Sequence, residues 1–313
     1  MLESKNLSMF KDSLNTSKDY NAEGEDTYDL QRSLDDHFIQ TIEMMRKDSS
    51  KKLNDFYDVY LEKLDIYLVK NLLKRKIEGK KIEEAKVEEA ILPITRELLQ
   101  KIMDAEVEDL PEILKNYGFE KEVIDAISDE NVDLLTIDTV IDKHVINKFK
   151  QVRVPYKCEQ AKHKFVNSMI DILNVKNILR AKQLGYDEVS CKKLFLGDGR
   201  EIASWKFKEM TEVDQVSQVI SSLEGTSYYG VLKDAIEQYD KEGSVQVLEN
   251  ALDGLFLKIV KDISMENYIN IGPTIRFLVS KEFEIKNLKI IVKGVGENLS
   301  SDVIKNFLIK EVS

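Results

Sequence analysis

Proline is scarce in this chain, four in 313 residues, and a sequence that so seldom breaks itself reads as ordered and helical rather than disordered. Cysteine is scarcer still. The two thiols, Cys158 and Cys191, lie 33 residues apart without C-x-x-C spacing, which argues against a paired redox or zinc motif and fits a reducing compartment. No apolar run approaches the roughly 18–20 residues that cross a bilayer, so no transmembrane segment is expected. The N-terminus lacks the basic-then-apolar layout of a secretory signal, and the expected location is the cytoplasm. Positive charge is in deficit: 46 Lys and Arg stand against 57 Asp and Glu, a net charge of −11. Nucleic acid is therefore not expected as a partner, because phosphate binding draws on a basic surface. What the chain has in quantity is 42% hydrophobic and 33% charged residues, ample for a core.

The most informative pattern is a repeat. Asp65-Ile66-Tyr67-Leu68-Val69-Lys70-Asn71-Leu72-Leu73-Lys74 returns as Asp171-Ile172-Leu173-Asn174-Val175-Lys176-Asn177-Ile178-Leu179-Arg180, then as Glu284-Ile285-Lys286-Asn287-Leu288-Lys289-Ile290-Ile291-Val292-Lys293. The intervals are 106 and 113 residues. A second pattern, apolar-polar-x-x-apolar-Asp, precedes each signature: Leu30 to Asp35, Ile137 to Asp142 and Leu248 to Asp253. From its Asp to the signature acid the distance is 30, 29 and 31 residues. Two patterns held in register three times imply triplication, with units expected at 1–95, 96–201 and 202–313.

Taken in order, residues 13–26 are polar and read as a loop. From Thr27 to Arg46, apolar residues at Leu30, Leu34, Phe38, Ile42 and Met45 fall at helical spacing. A polar break at 47–52 precedes the helix of the first signature, which is expected to end near Gly79. Residues 83–101 read as a helix interrupted by Pro93, and Leu110-Pro111 opens a short one. The second upstream helix covers 137–149. Pro155 marks a bend before the second signature helix, which Gly185 ends. Leu194 to Gly199 is a turn by its paired glycines. Glu212-Val213-Asp214 matches Glu106-Val107-Glu108 at an interval of 106 residues. A turn at Gly225 to Tyr228 leads to the third upstream helix, and Gly272-Pro273 punctuates the chain before the third signature. No segment shows sustained period-two alternation, so the expected fold is all-α.

On a helix of about 100° per residue, Ile66, Val69, Leu72 and Leu73 form one apolar stripe, with Lys70 and Lys74 together on its flank. Lys176 and Arg180 repeat that pair, as do Lys289 and Lys293. One reading is a solvated basic flank on a core helix. The sharper one is a ring of bases around a pseudo-threefold axis that meets an acidic partner.

Enzymatic readings fail on spacing. Asp35-Asp36 lacks the third Asp of a D-D-x-x-D motif. Asp35-x-His37 and Asp142-x-His144 place their residues on different helix faces, and Leu255 stands in the third His column. Gly294-x-Gly296 lacks the third glycine of a dinucleotide fingerprint, and no G-x-x-x-x-G-K-[ST] occurs. His163, Trp205 and Tyr228-Tyr229 have no neighbours in sequence that define chemistry. No catalytic residue, metal or cofactor is expected.

The three signatures and the turn Phe195-Leu196-Gly197-Asp198-Gly199 resemble the C-subunit family of archaeal-type and bacterial V-type ATPases, the counterpart of the vacuolar d-type subunit. The resemblance covers essentially the whole chain. It implies an all-helical funnel of three similar domains, a non-catalytic rotor subunit that receives the central stalk in the funnel and rests its opposite face on the membrane rotor ring. A peripheral position on the cytoplasmic face of the membrane follows from the same resemblance. The family usually carries another helix before the stretch corresponding to Leu2–Leu14, so the first unit is expected to be shortened. The alternative function is a helical-repeat scaffold that binds a protein in a concave surface. Repeats of about 110 residues exceed the roughly 20–50 of solenoid families, which favours the first reading.

Overall fold

A computed structural model of the chain describes all residues except 1, 3, 5, 18, 82–86, 88, 89, 130 and 313. Among the described residues the regular structure is helical throughout. In chain order the helices are α1 (Leu7–Asn15), α2 (Thr27–Asp48), α3 (Asn54–Ile77), α4 (Pro93–Asp104), α5 (Leu110–Asn116), α6 (Lys121–Ile127), α7 (Leu134–Gln151) and α8 (Tyr156–Gln183). The remainder are α9 (Glu188–Lys192), α10 (Ser204–Thr211), α11 (Val216–Ser222), α12 (Ser227–Glu242), α13 (Gln246–Glu266), α14 (Gly272–Gly296) and α15 (Ser301–Phe307). Signature residues thus lie on α3, α8 and α14, and the upstream patterns on α2, α7 and α13.

Local signals account for these boundaries. Asp26 caps α2 by accepting the Asp29 N–H at 2.8 Å, and Leu30, Leu34, Phe38 and Ile42, spaced by four, are buried along one face. Pro93, anticipated as an interruption, instead opens α4, where a missing N–H costs nothing because first-turn donors have no helical partner. Most of the expected helix before it, residues 83–86, 88 and 89, lies outside the described residues. A separate helix, α12, intervenes between the turn at Gly225 and the third upstream helix. Its buried residues are Tyr228 and Leu232, too sparse a set to register as apolar periodicity.

All three signature helices end in the same way. Residues 79, 185 and 298, each 14 positions after its signature acid, take left-handed φ values of 64°, 77° and 57°. The following N–H reaches back over the last turn, Lys80 to Arg75 O (2.8 Å), Tyr186 to Ala181 O (2.9 Å) and Leu299 to Gly294 O (2.8 Å). Two of these positions are glycine, which bears the left-handed conformation without a Cβ penalty, and the third is asparagine.

The chain forms two compact units, residues 51–156 with 166–226, and residues 1–50 with 157–165 and 227–313. In the former, α3 packs on α7 and α4. Phe149 meets Phe56 and Tyr60 edge-on at 5.8 and 6.4 Å in a fully buried cluster. In the latter, α14 packs on α13, α2, α1 and α15, and Phe165 meets Phe256 at 6.0 Å.

Candidate functional site

Two of the three signature acids, Asp65 and Asp171, hold backbone that follows their helices. Asp171, fully buried, accepts the N–H groups of Arg200, Glu201 and Ile202 at 3.0, 2.7 and 3.0 Å. Asp65, also buried, accepts those of Ile91 and Leu92 at 2.7 and 2.8 Å. A buried carboxylate is costly unless it is hydrogen-bonded, and these amides supply the bonds. Burial pushes the Asp65 carboxyl above its usual range, and the two amides oppose that shift. Glu284, one methylene longer and half exposed, instead accepts the Tyr20 hydroxyl at 2.6 Å and pairs with Lys281 at 3.2 Å. Burial, and then the neighbouring Glu284, push the Tyr20 hydroxyl far upward.

The asparagine column adds a second clasp. Asn174 accepts the Leu196 N–H at 2.9 Å and donates to Gly197 O at 3.0 Å. Asn287 does the same with the N–H and carbonyl of Ile309, both at 2.8 Å. Gly199 belongs to the first of these returns: a Cβ there would sit 1.9 Å from Asp171 Oδ1. The turn at 194–199 is thereby tied to the second signature through Asn174 and Asp171.

The six candidate bases meet different surroundings. Lys70 Nζ lies 2.5 Å from Asp142, and Lys74 Nζ 2.9 Å from Asp138. Lys289 Nζ lies 2.5 Å from Asp35. Asp142 and Asp35 are the acids that close the upstream pattern, and Asp138 stands in its second column. The structure therefore brings three of the six bases onto the upstream helix of another repeat. Lys176 is buried and Arg180 half-buried on α8. Lys293 is exposed, and the column that holds Asp138 on α7 holds Gln31 on α2, whose amide donates to Lys289 O at 3.4 Å.

Two histidines lie against aromatic rings with centroids 4.5 Å apart, His144 stacked on Phe119 and His37 tilted by 41° against Tyr20. His144 is buried and its Nδ1 lies 3.1 Å from Glu120. Burial lowers the pKa of both imidazoles, aided by Lys281 at His37 and Lys148 at His144. Leu255 fills the third position of that column and is buried. No group of three or more His, Cys, Asp or Glu among the described residues is arranged to hold a metal. Trp205 is exposed with the Lys206 ammonium 4.9 Å from its ring centre, and Tyr228 is fully buried.

Sequence pattern alone does not reveal a cleft of about 590 Å³ bordered by α13, α14 and α15. Its apolar lining includes Ile290, Leu299, Ile304 and Phe307, and Lys293 is among its polar residues. The only trace of it in the chain is a run of apolar residues after Asn298, whose convergence on α14 depends on the left-handed turn at that asparagine.

The family model described as ATP synthase (C/AC39) subunit matches residues 1–307 of this chain. The A-type ATP synthase C-subunit of Methanobrevibacter smithii is 33% identical over 306 residues, covering 95% of this chain and 78% of the relative. The protein of that name from Methanocaldococcus jannaschii is 32% identical over 269 residues, covering 84% and 66%. That from Methanosphaera stadtmanae is 28% identical over 319 residues, covering 99% and 82%.

Proposed function

The chain belongs to the ATP synthase (C/AC39) subunit family, and from that premise we propose that it is a non-catalytic rotor subunit of an A/V-type rotary ATPase. In this reading it couples the central-stalk subunits to the membrane rotor ring from the cytoplasmic face. The single observation that carries the reading is the match along residues 1–307. It is consistent that no helix of the described residues is long and apolar enough to cross a membrane.

We further propose that three units, 1–95, 96–201 and 202–313, close about a pseudo-threefold axis as a funnel. What supports closure is that the third signature reaches the first upstream helix through Lys289 and Asp35, a link that a linear array of units does not offer. The column of bases, Lys70, Lys74, Lys176, Arg180, Lys289 and Lys293, is proposed as the stalk-facing feature. Lys293 has the largest part in it, because Lys70, Lys74 and Lys289 are already matched by aspartates.

The test is reconstitution of the parent ATPase with and without this chain. The chain is expected to co-purify with both central stalk and ring. Without it, the catalytic head is expected to hydrolyse ATP without driving ion transport. Ion transport sustained in its absence, or ATP hydrolysis by the purified chain alone, overturns the reading.

A further inference from the structure

We propose that residues 118–127 form an acid-sensitive flap: protonation of the His144 imidazole lifts Phe119, Glu120 and α6 off α7, while α3 and α7 stay packed on each other. The polar fastening of the flap passes largely through one ring. Phe119 stacks on the His144 imidazole with an interplanar angle of 19°. Glu120, the residue before α6, lies 3.1 Å from His144 Nδ1 and accepts from the Asn147 amide at 3.2 Å. An ionised carboxylate only accepts, so Nδ1 carries the ring proton and Nε2 is the lone-pair nitrogen. His144 is 1% exposed, and its Nε2 has no hydrogen-bond partner.

A second proton has to enter at that buried Nε2. The nearest acceptor, Glu62 Oε1 on α3, is 3.9 Å away and is already paired with the Lys148 ammonium. The charged groups facing the ring are therefore Glu62 from α3, Lys148 from α7 and Glu120 from the segment leading into α6. Lys143 of α7 and Glu122 of α6, the next pair outward, hold each other at 2.6 Å. Both carboxylates favour an imidazolium, but Glu120 is shared with Asn147 and Glu62 with Lys148, and the ammonium repels a second cation. A buried charge without its full set of hydrogen bonds is costly, and moving the ring into water removes that cost. The lowered pKa of His144 agrees, with burial the larger cause and Lys148 the next. Packing decides what gives way. α6 buries only Val123 and Ile127, and Gly118, at a left-handed φ of 79° with open space where a Cβ would stand, is the turn on which the stretch swings. Phe56, Tyr60 and Phe149 between α3 and α7 are fully buried, so the flap opens before that core does.

Amide hydrogen exchange of the full chain, measured at pH 7 and about 5.5 and corrected for the intrinsic rate at each pH, tests the flap. An imidazole with its ordinary pKa of about 6.5 when open and a lower one when closed raises the opening constant by roughly five- to tenfold between those pH values. Protection at 119–127 is expected to fall by that factor and to respond little to small additions of urea, because a local opening exposes little surface. Amides at 56–60 and 145–149 are expected to exchange more slowly, with the urea dependence of whole-chain unfolding. His144→Gln keeps an amide donor toward Glu120 but cannot be charged, and the pH effect at 119–127 is expected to vanish in it. Lys148→Met releases Glu62 to receive the Nε2 proton in the closed form, and is expected to shrink the effect. Should His144→Gln not fold, the wild-type imidazole titration by NMR takes its place, with a midpoint below about 6.5 expected. Any one of five results overturns the proposal: equal wild-type protection of 119–127 at both pH values, a full loss persisting in His144→Gln, an undiminished effect in Lys148→Met, an imidazole midpoint at or above its ordinary value, or exchange of 119–127 with the urea dependence of the core.

Discussion

Lys289 of the third signature helix closes on Asp35 of the first upstream helix at 2.5 Å, and the same two columns meet in Lys70 and Asp142, also at 2.5 Å. The repeated pattern therefore encodes a helix-to-helix contact: a base on one signature helix is matched by an acid on the upstream helix of another copy of the pattern. Such pairs sit over apolar packing of α14 on α2 and of α3 on α7. They select the register of that packing rather than supplying most of its free energy.

Asp142 and Lys70 are mostly shielded, with side-chain exposures of 16% and 15%, so removing one partner strands the other. Asp142→Asn is expected to destabilise the chain by about 1–3 kcal/mol, and the cycle completed with Lys70→Met to give a coupling of about 1 kcal/mol. Urea denaturation of the four proteins measures it. Additive single effects would mean that the pair does nothing for stability.

Gly199 is constrained by the clasp on Asp171, not by a left-handed backbone. A methyl group at this position meets Asp171 Oδ1 at 1.9 Å, and relief requires the 200–202 amides to leave the carboxylate. Gly199→Ala is expected to cost about 2–3 kcal/mol, comparable with losing the buried hydrogen bonds of the acid. Gly199→Ala combined with Asp171→Ala should cost much less than the sum of the two. Chemical denaturation decides; full additivity would separate the glycine from the clasp.

These two sites show what is legible in the chain. Both columns of each ion pair stand in the repeated patterns, but their meeting does not, because periodicity assigns a residue to a helix face and leaves open which helix covers that face. Asp65 and Asp171 are visible as acids of a signature, while their targets, amides at 91–92 and 200–202, carry no side-chain signal at all. Helix ends at Gly79 and Gly185 are readable because glycine marks a left-handed residue. The third end is hidden because Asn298 takes the same conformation without that mark. Pro93 signals a helix boundary without its direction, since proline can either break a helix or begin one.

His37 and His144 predict a pH dependence whose sign follows from their lowered pKa values. An imidazole harder to protonate in the folded chain contributes stability that is present above its unfolded pKa of about 6.5 and is lost as pH falls toward the folded value. The slope is at most about 1.4 kcal/mol per pH unit for each group. Around His144 the other titrating groups are Glu62, Glu120 and Lys148, and the carboxylates titrate mainly at lower pH. Between pH 7 and 5.5 the melting temperature is expected to fall, and His144→Leu, borrowing the residue type at Leu255, to flatten the curve. An unchanged slope in that variant would remove His144 from the account.

Asn298 offers the last test, because the three caps are the same device built with different residues. At Gly79 and Gly185 the left-handed turn carries no Cβ, whereas at Asn298 a φ of 57° is adopted with one. Asparagine tolerates that region better than most residues but still below glycine, and a cap glycine gives back part of its gain through the greater entropy of the unfolded chain. The net expectation for Asn298→Gly is stabilisation of about 0.5 kcal/mol. The opposite change at an equivalent cap, Gly185→Ala, should destabilise by about 1 kcal/mol, since nothing lies within 4 Å to clash with the new methyl group and only the backbone conformation opposes it. Urea midpoints for the two variants, measured with constant m-values, give the comparison directly. A destabilised Asn298→Gly would mean that the asparagine side chain holds the turn by an interaction of its own, and the third cap would then be a different structure from the first two.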